Sequence, residues 1–192
     1  MRMRGKSGKE SQKGYSLLEI LIVVVIIGIL TAIAINSFRE TNDKYKVESE
    51  TKEMFANLMD ARGKALQRSR IFFVRVLADS YETYEDTAPA PDGNGVLELT
   101  GSDRDKEVVR VSLARTHTID STKLMGGVVV PGVYETFRFD RSGLASVANI
   151  GFIRIISGNT KVRPDYDCIT IGPTRVKMGQ FSEANGGTCV EK

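Results

Sequence analysis

Lys13-Gly14-Tyr15-Ser16-Leu17-Leu18-Glu19 opens directly onto a run without charge from Ile20 to Ile35, and Arg2, Arg4, Lys6, Lys9 and Lys13 stand ahead of it with one acid, Glu10. Taken from Tyr15, with Glu19 tolerated, the run holds about 21 residues, roughly 31 Å of helix, enough to cross a bilayer. The excess of Lys and Arg before it predicts a cytoplasmic N-terminus and a remainder of the chain outside the cytoplasm. A secretory signal is the competing reading, with Thr31-Ala32-Ile33-Ala34 as its small-residue cleavage site. Glu19 argues against it. An ionised carboxylate in hydrocarbon costs several kcal/mol unless it is paired or rises to the interface, so an acid at that place asks for a partner.

Outward from this junction, glycine and proline divide the chain. From Tyr15 to Ala88 there is no proline and only Gly28 and Gly63, whereas all five prolines and thirteen of the eighteen glycines follow Ala88. The first part therefore reads as one long helix, with residues 15–36 as its membrane or filament-core portion and 37–69 as an amphipathic continuation. In that continuation Tyr45, Met54, Phe55, Leu58, Met59, Ala61, Ala65 and Leu66 recur mostly three and four apart, which marks one apolar face for packing. Lys44, Lys46, Glu50, Lys52, Glu53, Asp60 and Lys64 form the other face. Residues 70–192 read as a single β-rich head. Strands are expected at 71–77, 96–100, 108–113, 128–130, 134–139, 144–147, 152–156, 169–171 and 175–178, from their aromatic and β-branched content. Asp140-Arg141-Ser142-Gly143 predicts a hairpin turn and Pro89 to Gly95 a loop. The fold class is α+β, a long N-terminal helix packed on an antiparallel sheet.

Gly14 followed by Tyr15-Ser16-Leu17-Leu18-Glu19 and the apolar run resembles the processing site of type IV pilins and type II secretion pseudopilins. The resemblance covers about 22 residues. It implies that a prepilin peptidase removes leader residues 1–14, that the new N-terminal Tyr15 is N-methylated, and that Glu19 pairs with an N-terminal amine in a growing filament. Cutting after Gly14 would create a cation able to neutralise Glu19 of a neighbour, so that two charges each costly in a membrane become tolerable together. Tyr15 stands where the family usually has phenylalanine. Asn36 stands where many members carry a helix-kinking proline, which predicts a straighter helix there. Ala61-Arg62-Gly63-Lys64-Ala65-Leu66, Phe137-Arg138-Phe139-Asp140-Arg141-Ser142-Gly143 and the segments Ile169 to Gly172 and Arg175 to Lys177 further resemble the GspH/FimT branch of minor pilins. The implied role is a minor pilin or pseudopilin subunit. Its implied partners are other subunits, the prepilin peptidase/methyltransferase and an inner-membrane assembly platform. Its implied location is the bacterial inner membrane, then a periplasmic or cell-surface filament.

Cys168 and Cys189 are the only cysteines. An extracytoplasmic disulfide would close a loop on the order of 20 residues and contribute ~3 kcal/mol, against the alternatives of free thiols or intermolecular pairing. Two cysteines and one histidine do not make a structural zinc site by themselves, and no metal or cofactor is expected. The formal charge of +3 belongs to the leader. Removing residues 1–14 takes five basic residues and one acid from 27 Lys plus Arg and 24 Asp plus Glu, leaving 22 against 23. A local basic set remains in Arg154, Lys161, Arg163, Arg175 and Lys177. Some competence-related members of the resembled family bind DNA through such a region, which makes Arg175 and Lys177 the candidate contacts of a DNA-binding alternative. The opposing reading is a solvated strand face balanced by Asp165 and Asp167. Nucleophile elbows, zinc-protease helices, phosphate loops and dinucleotide fingerprints are absent from the sequence, so no catalytic residue is assigned and a signal-anchored extracytoplasmic enzyme is the weaker alternative. His117 reads as a surface histidine among polar neighbours. Asp92, Asn94, Asp103 and Asp105 lack the terminal glutamate of a calcium loop and read as solvated turns.

Overall fold

The computed structural model describes residues 14–101, 104–125, 128–130, 136–146 and 151–192, and only the backbone of 34–37, 122–125 and 128–130. Helix α1 runs from Leu17 to Arg68. The chain divides into two units, 1–39 and 40–192. In the second unit α1 packs on two antiparallel sheets. β1 (Phe72–Val76), β2 (Ser80–Glu85), β3 (Lys106–Ser112), β6 (Thr136–Phe139) and β7 (Ala145–Ser146) form one, in the order β3-β2-β1-β6-β7. β4 (His117–Met125), β5 (Val128–Val130), β8 (Gly151–Ser157), β9 (Cys168–Ile171), β10 (Val176–Ser182) and β11 (Thr188–Glu191) form the other, in the order β11-β10-β9-β8-β4-β5. The expected α+β class is thus the class observed.

The core follows two periods. On α1, Val47, Thr51, Met54, Leu58, Ala61 and Ala65 are buried at alternating spacings of four and three, the single stripe a helix turns toward a neighbour. The strands answer with period two: Phe72, Val74 and Val76 on β1, Phe137 and Phe139 on β6, Ile153 and Ile155 on β8, Ile169 and Ile171 on β9. Register aligns Phe72 with Phe139 and Val74 with Phe137, so apolar side chains share a face across β1 and β6. The stripe is narrower than the spacing alone implied. Tyr45, Met59 and Leu66 are exposed, while Val47 and Thr51 take the places that continue the alternation.

Polar contacts bracket the helix onto the sheets. Glu50 accepts the Ala114 N–H at 2.8 Å, and its second oxygen stands 2.5 Å from Nδ1 of His117. Glu48 accepts the Asp165 N–H at 2.9 Å, Lys44 pairs with Asp165 at 2.9 Å, and Arg68 pairs with buried Glu85 at 2.6 Å. Asn57 donates to the Tyr81 hydroxyl at 2.7 Å, and burial pushes that phenol up to about 12. His117 is therefore buried at the start of β4, not on the surface, because Glu50 on the packed helix supplies a partner for its ring.

No strand forms at 96–100. That segment belongs to a loop folded around two buried carboxylates. Asp86 accepts the N–H groups of Asn94 and Gly95 at 3.2 and 2.8 Å, and Asp105 accepts those of Thr87, Ala88 and Glu98 at 2.9, 3.2 and 3.0 Å. Burial is the main cause that raises the Asp86 carboxyl above the ordinary range. Gly93 lies at φ +76° where a Cβ would stand 1.9 Å from Asp86 Oδ1, so this loop closes only with glycine. The expected turn after β6 is present, with Gly143 at φ +69° and Asp140 accepting the Ser142 and Leu144 N–H groups.

Cys168 and Cys189 are joined, with Cα atoms 5.9 Å apart. β10 lies between their strands, and strands two places apart in a flat sheet stand roughly 9.6 Å from each other. β11 therefore folds over β10, and it does so at Gly179. That residue pairs with Cys168 on one side and Glu191 on the other. A Cβ there would meet Val190 O at 2.3 Å and Cys189 Sγ at 3.0 Å.

Candidate functional site

Gly14, Tyr15 and Ser16 precede the first helical residue, Leu17. Ile20 N–H donates to Ser16 O at 3.2 Å, which places Ser16 as the residue that closes the first turn. Glu19 lies in that turn, where the helix dipole favours a negative charge. Tyr15 is 79 % exposed. Beyond it, thirteen large apolar side chains from Leu17 to Ile33 are all exposed, the least of them Val23 at 46 %. Water does not accommodate so long an apolar cylinder, so this surface requires lipid or other apolar helices. Its one interior polar side chain is satisfied locally, since the Thr31 hydroxyl donates to Ile27 O at 2.7 Å.

The site thus consists of a glycine, an exposed N-flanking tyrosine, a carboxylate one turn in and an uncovered apolar helix. The basic residues Arg2, Arg4, Lys6, Lys9 and Lys13, and Glu10, lie outside the described residues, as does Asp103. Asp105 is buried and not in a solvated turn, because both of its carboxylate oxygens accept backbone N–H groups, and Asn94 donates to Glu98.

Of the local basic set, two members are paired. Lys177 is paired with Glu191 across β10 and β11, and Arg154 with Asp167 at 3.2 Å. Arg175 is exposed at the entry to β10, and Arg163 lies in the loop after β8. Sequence reasoning missed the Glu50–His117 bridge and the stacking of Arg154 on Phe181 with Asp167 at its edge. Each joins residues distant in sequence, and only strand register brings them together.

No curated protein matches the chain in sequence. Among solved structures it is similar to the minor pseudopilin EpsH from the type 2 secretion system of Vibrio cholerae, at 12 % identity and a TM-score of 0.49, over 70 % of this chain and 94 % of that one. It is also similar to the type IV minor pilin FimU of Pseudomonas aeruginosa, at 14 % identity and a TM-score of 0.46, over 71 % of this chain and 90 % of that one. In sequence, the match is local and falls on the junction where Gly14, Tyr15 and Glu19 stand. Residues 10–35 match the prokaryotic N-terminal methylation motif.

Proposed function

We propose that this chain is a minor subunit of a pilin-type filament, a type II secretion pseudopilus or a type IV pilus, and acts as a structural part and not as an enzyme. The observation that carries the reading is the uncovered apolar stretch of α1 joined to the methylation motif over residues 10–35. On this reading prepilin peptidase cuts after Gly14 and Tyr15 is methylated. Residues 15–36 first anchor the chain in the inner membrane and then enter a filament core. Residues 37–69 and 70–192 form the part that faces outward. Glu19 meets the Tyr15 amine of a neighbouring subunit, which removes two buried-charge penalties in one contact. Partners are other subunits, the processing enzyme and an inner-membrane assembly platform. DNA contact through Arg175 and Lys177 gains no support, because Lys177 is already paired with Glu191.

Mass spectrometry of the mature N-terminus tests this directly. N-methylated Tyr15 is expected, and an intact Met1 or a cut after Ala34 would sink the reading. Glu19→Ala should leave membrane insertion unchanged and reduce recovery in sheared filaments by about tenfold or more, the scale of an unpaired buried amine. Normal incorporation of that variant removes the charge-pairing account.

A further inference from the structure

A groove of about 510 Å³ opens on the six-stranded sheet between the loop after β8 and the end of β10, and Arg154, Arg163, Asp167, Phe181, Ser182 and Glu183 are among its walls. Arg154 is fixed from two sides. Its Nε donates to Oδ2 of buried Asp167 at 3.2 Å, and its Cζ stands 3.8 Å from the centre of the Phe181 ring. Asp167 is held in turn, because its Oδ1 accepts the Phe181 N–H at 2.7 Å. Among the described residues neither Nη group of Arg154 has a hydrogen-bond partner, and Arg163 has neither an ion pair nor a hydrogen bond.

An arginine whose Nε edge is taken and whose plane is stacked offers one remaining fork, the two Nη groups. That fork matches a carboxylate bidentately, and its fixed position lowers the ordering cost of binding. The four charges on the walls, Arg154, Arg163, Asp167 and Glu183, cancel. A polyanion gains affinity from summed contacts to uncompensated cations and finds none summed here. A single carboxylate on an otherwise neutral peptide suits the balance, and the volume is that of a site for a small ligand or a few residues. We propose that this groove binds an acidic side chain carried on a peptide segment of a partner protein, with the Nη pair of Arg154 as the carboxylate fork and Arg163 as a flanking cation.

The test is a titration of the full chain in detergent micelles with an acetylated, amidated pentapeptide bearing one central glutamate among glycine and serine, followed by ¹⁵N NMR at the Phe181 and Ser182 amides. Saturable shifts are expected, weakened about tenfold or more by Arg154→Gln and about threefold by Arg163→Gln. The glutamine counterpart of the peptide should produce none. Arg163 is exposed and makes no hydrogen bond or ion pair among the described residues, so its variant reads binding even where Arg154→Gln disturbs the sheet. Equal shifts from the glutamate and glutamine peptides, no shift from either, unchanged titration in both variants, or tighter binding of a single-stranded DNA ten-mer at the same amides would each overturn the proposal.

Discussion

Between Leu17 and Ile33 α1 leaves thirteen large apolar side chains exposed, whereas between Val47 and Ala65 the same helix buries one stripe of six residues, flanked by Glu48 and Glu50, whose carboxylates are held by the sheets and their loops, and keeps its other charges away from the stripe. Both stretches are helical, and both carry apolar residues. They differ in how those residues are distributed around the axis. An all-round apolar surface has no side to give to water and must be surrounded by lipid or other apolar helices. A four-three stripe needs one neighbour only, and two sheets of the second unit supply it. The pattern around the axis, more than the amount of apolar surface, sets what the helix must meet.

The sharpest way to break this comparison is a pair of truncations. Leu58→Ala should cost about 2–5 kcal/mol in the unfolding of the second unit, as for other large-to-small changes at fully buried sites, whereas Ile26→Ala should leave that transition within about 0.5 kcal/mol. Denaturant titration of both in detergent measures it, and equal losses would mean the two stretches are not energetically distinct. Loss of the Cys168–Cys189 link comes next. Paired replacement by serine should cost ~3 kcal/mol in the same transition while membrane partitioning stays unchanged. Gly179→Ala should follow at about 1–3 kcal/mol, since its methyl group meets the Val190 carbonyl and the bridge sulfur. Proteolysis near the C-terminus should accelerate in step.

The smallest effect concerns pH. The Lys44 ammonium beside Asp165 holds that carboxyl below its usual range in the folded chain. Its contribution is therefore complete above the unfolded value near 3.8 and fades as pH falls through the lower folded value. Asp86 has the opposite sign. Its raised folded value makes the charged form a cost near neutrality, and that cost is relieved as pH falls from the folded value to below the unfolded one. Asp165→Asn should flatten the acid limb of a stability–pH curve slightly, and an unchanged limb would show that this pair contributes nothing.

Much of this is legible in the sequence. The junction at Gly14, the long helix, most strands and the Asp140 turn follow from charge, spacing and breaker residues, and of the alternatives open for Cys168 and Cys189 the structure shows the intramolecular bridge. β2 escaped notice because Ser80-Tyr81-Glu82-Thr83-Tyr84-Glu85 reads as polar. Its two glutamates are nevertheless buried, matched by Arg75 and Arg110 on adjoining strands, by Arg68 at the end of the helix and by Arg70 just after it. The apolar stretch 96–100 failed as a strand for the converse reason. Asp105 takes the Glu98 N–H that a ladder would need. In both places the deciding contact is a side-chain partner outside the strand's own alternation, of which strand periodicity holds no record. The groove around Arg154 was hidden in the same way.

The bond that crosses β10 at Gly179 also decides how a pull on the chain end is carried. Force applied at Lys192 loads only the contacts of Val190, Glu191 and Lys192 with β10 before it passes through Cys189 into Cys168 and so reaches β9, third from the edge of its six-stranded sheet. The last hairpin cannot be unzipped one strand at a time from that end. It must yield together with β9 or hold, which makes the C-terminal edge a tether point where an ordinary edge strand would peel.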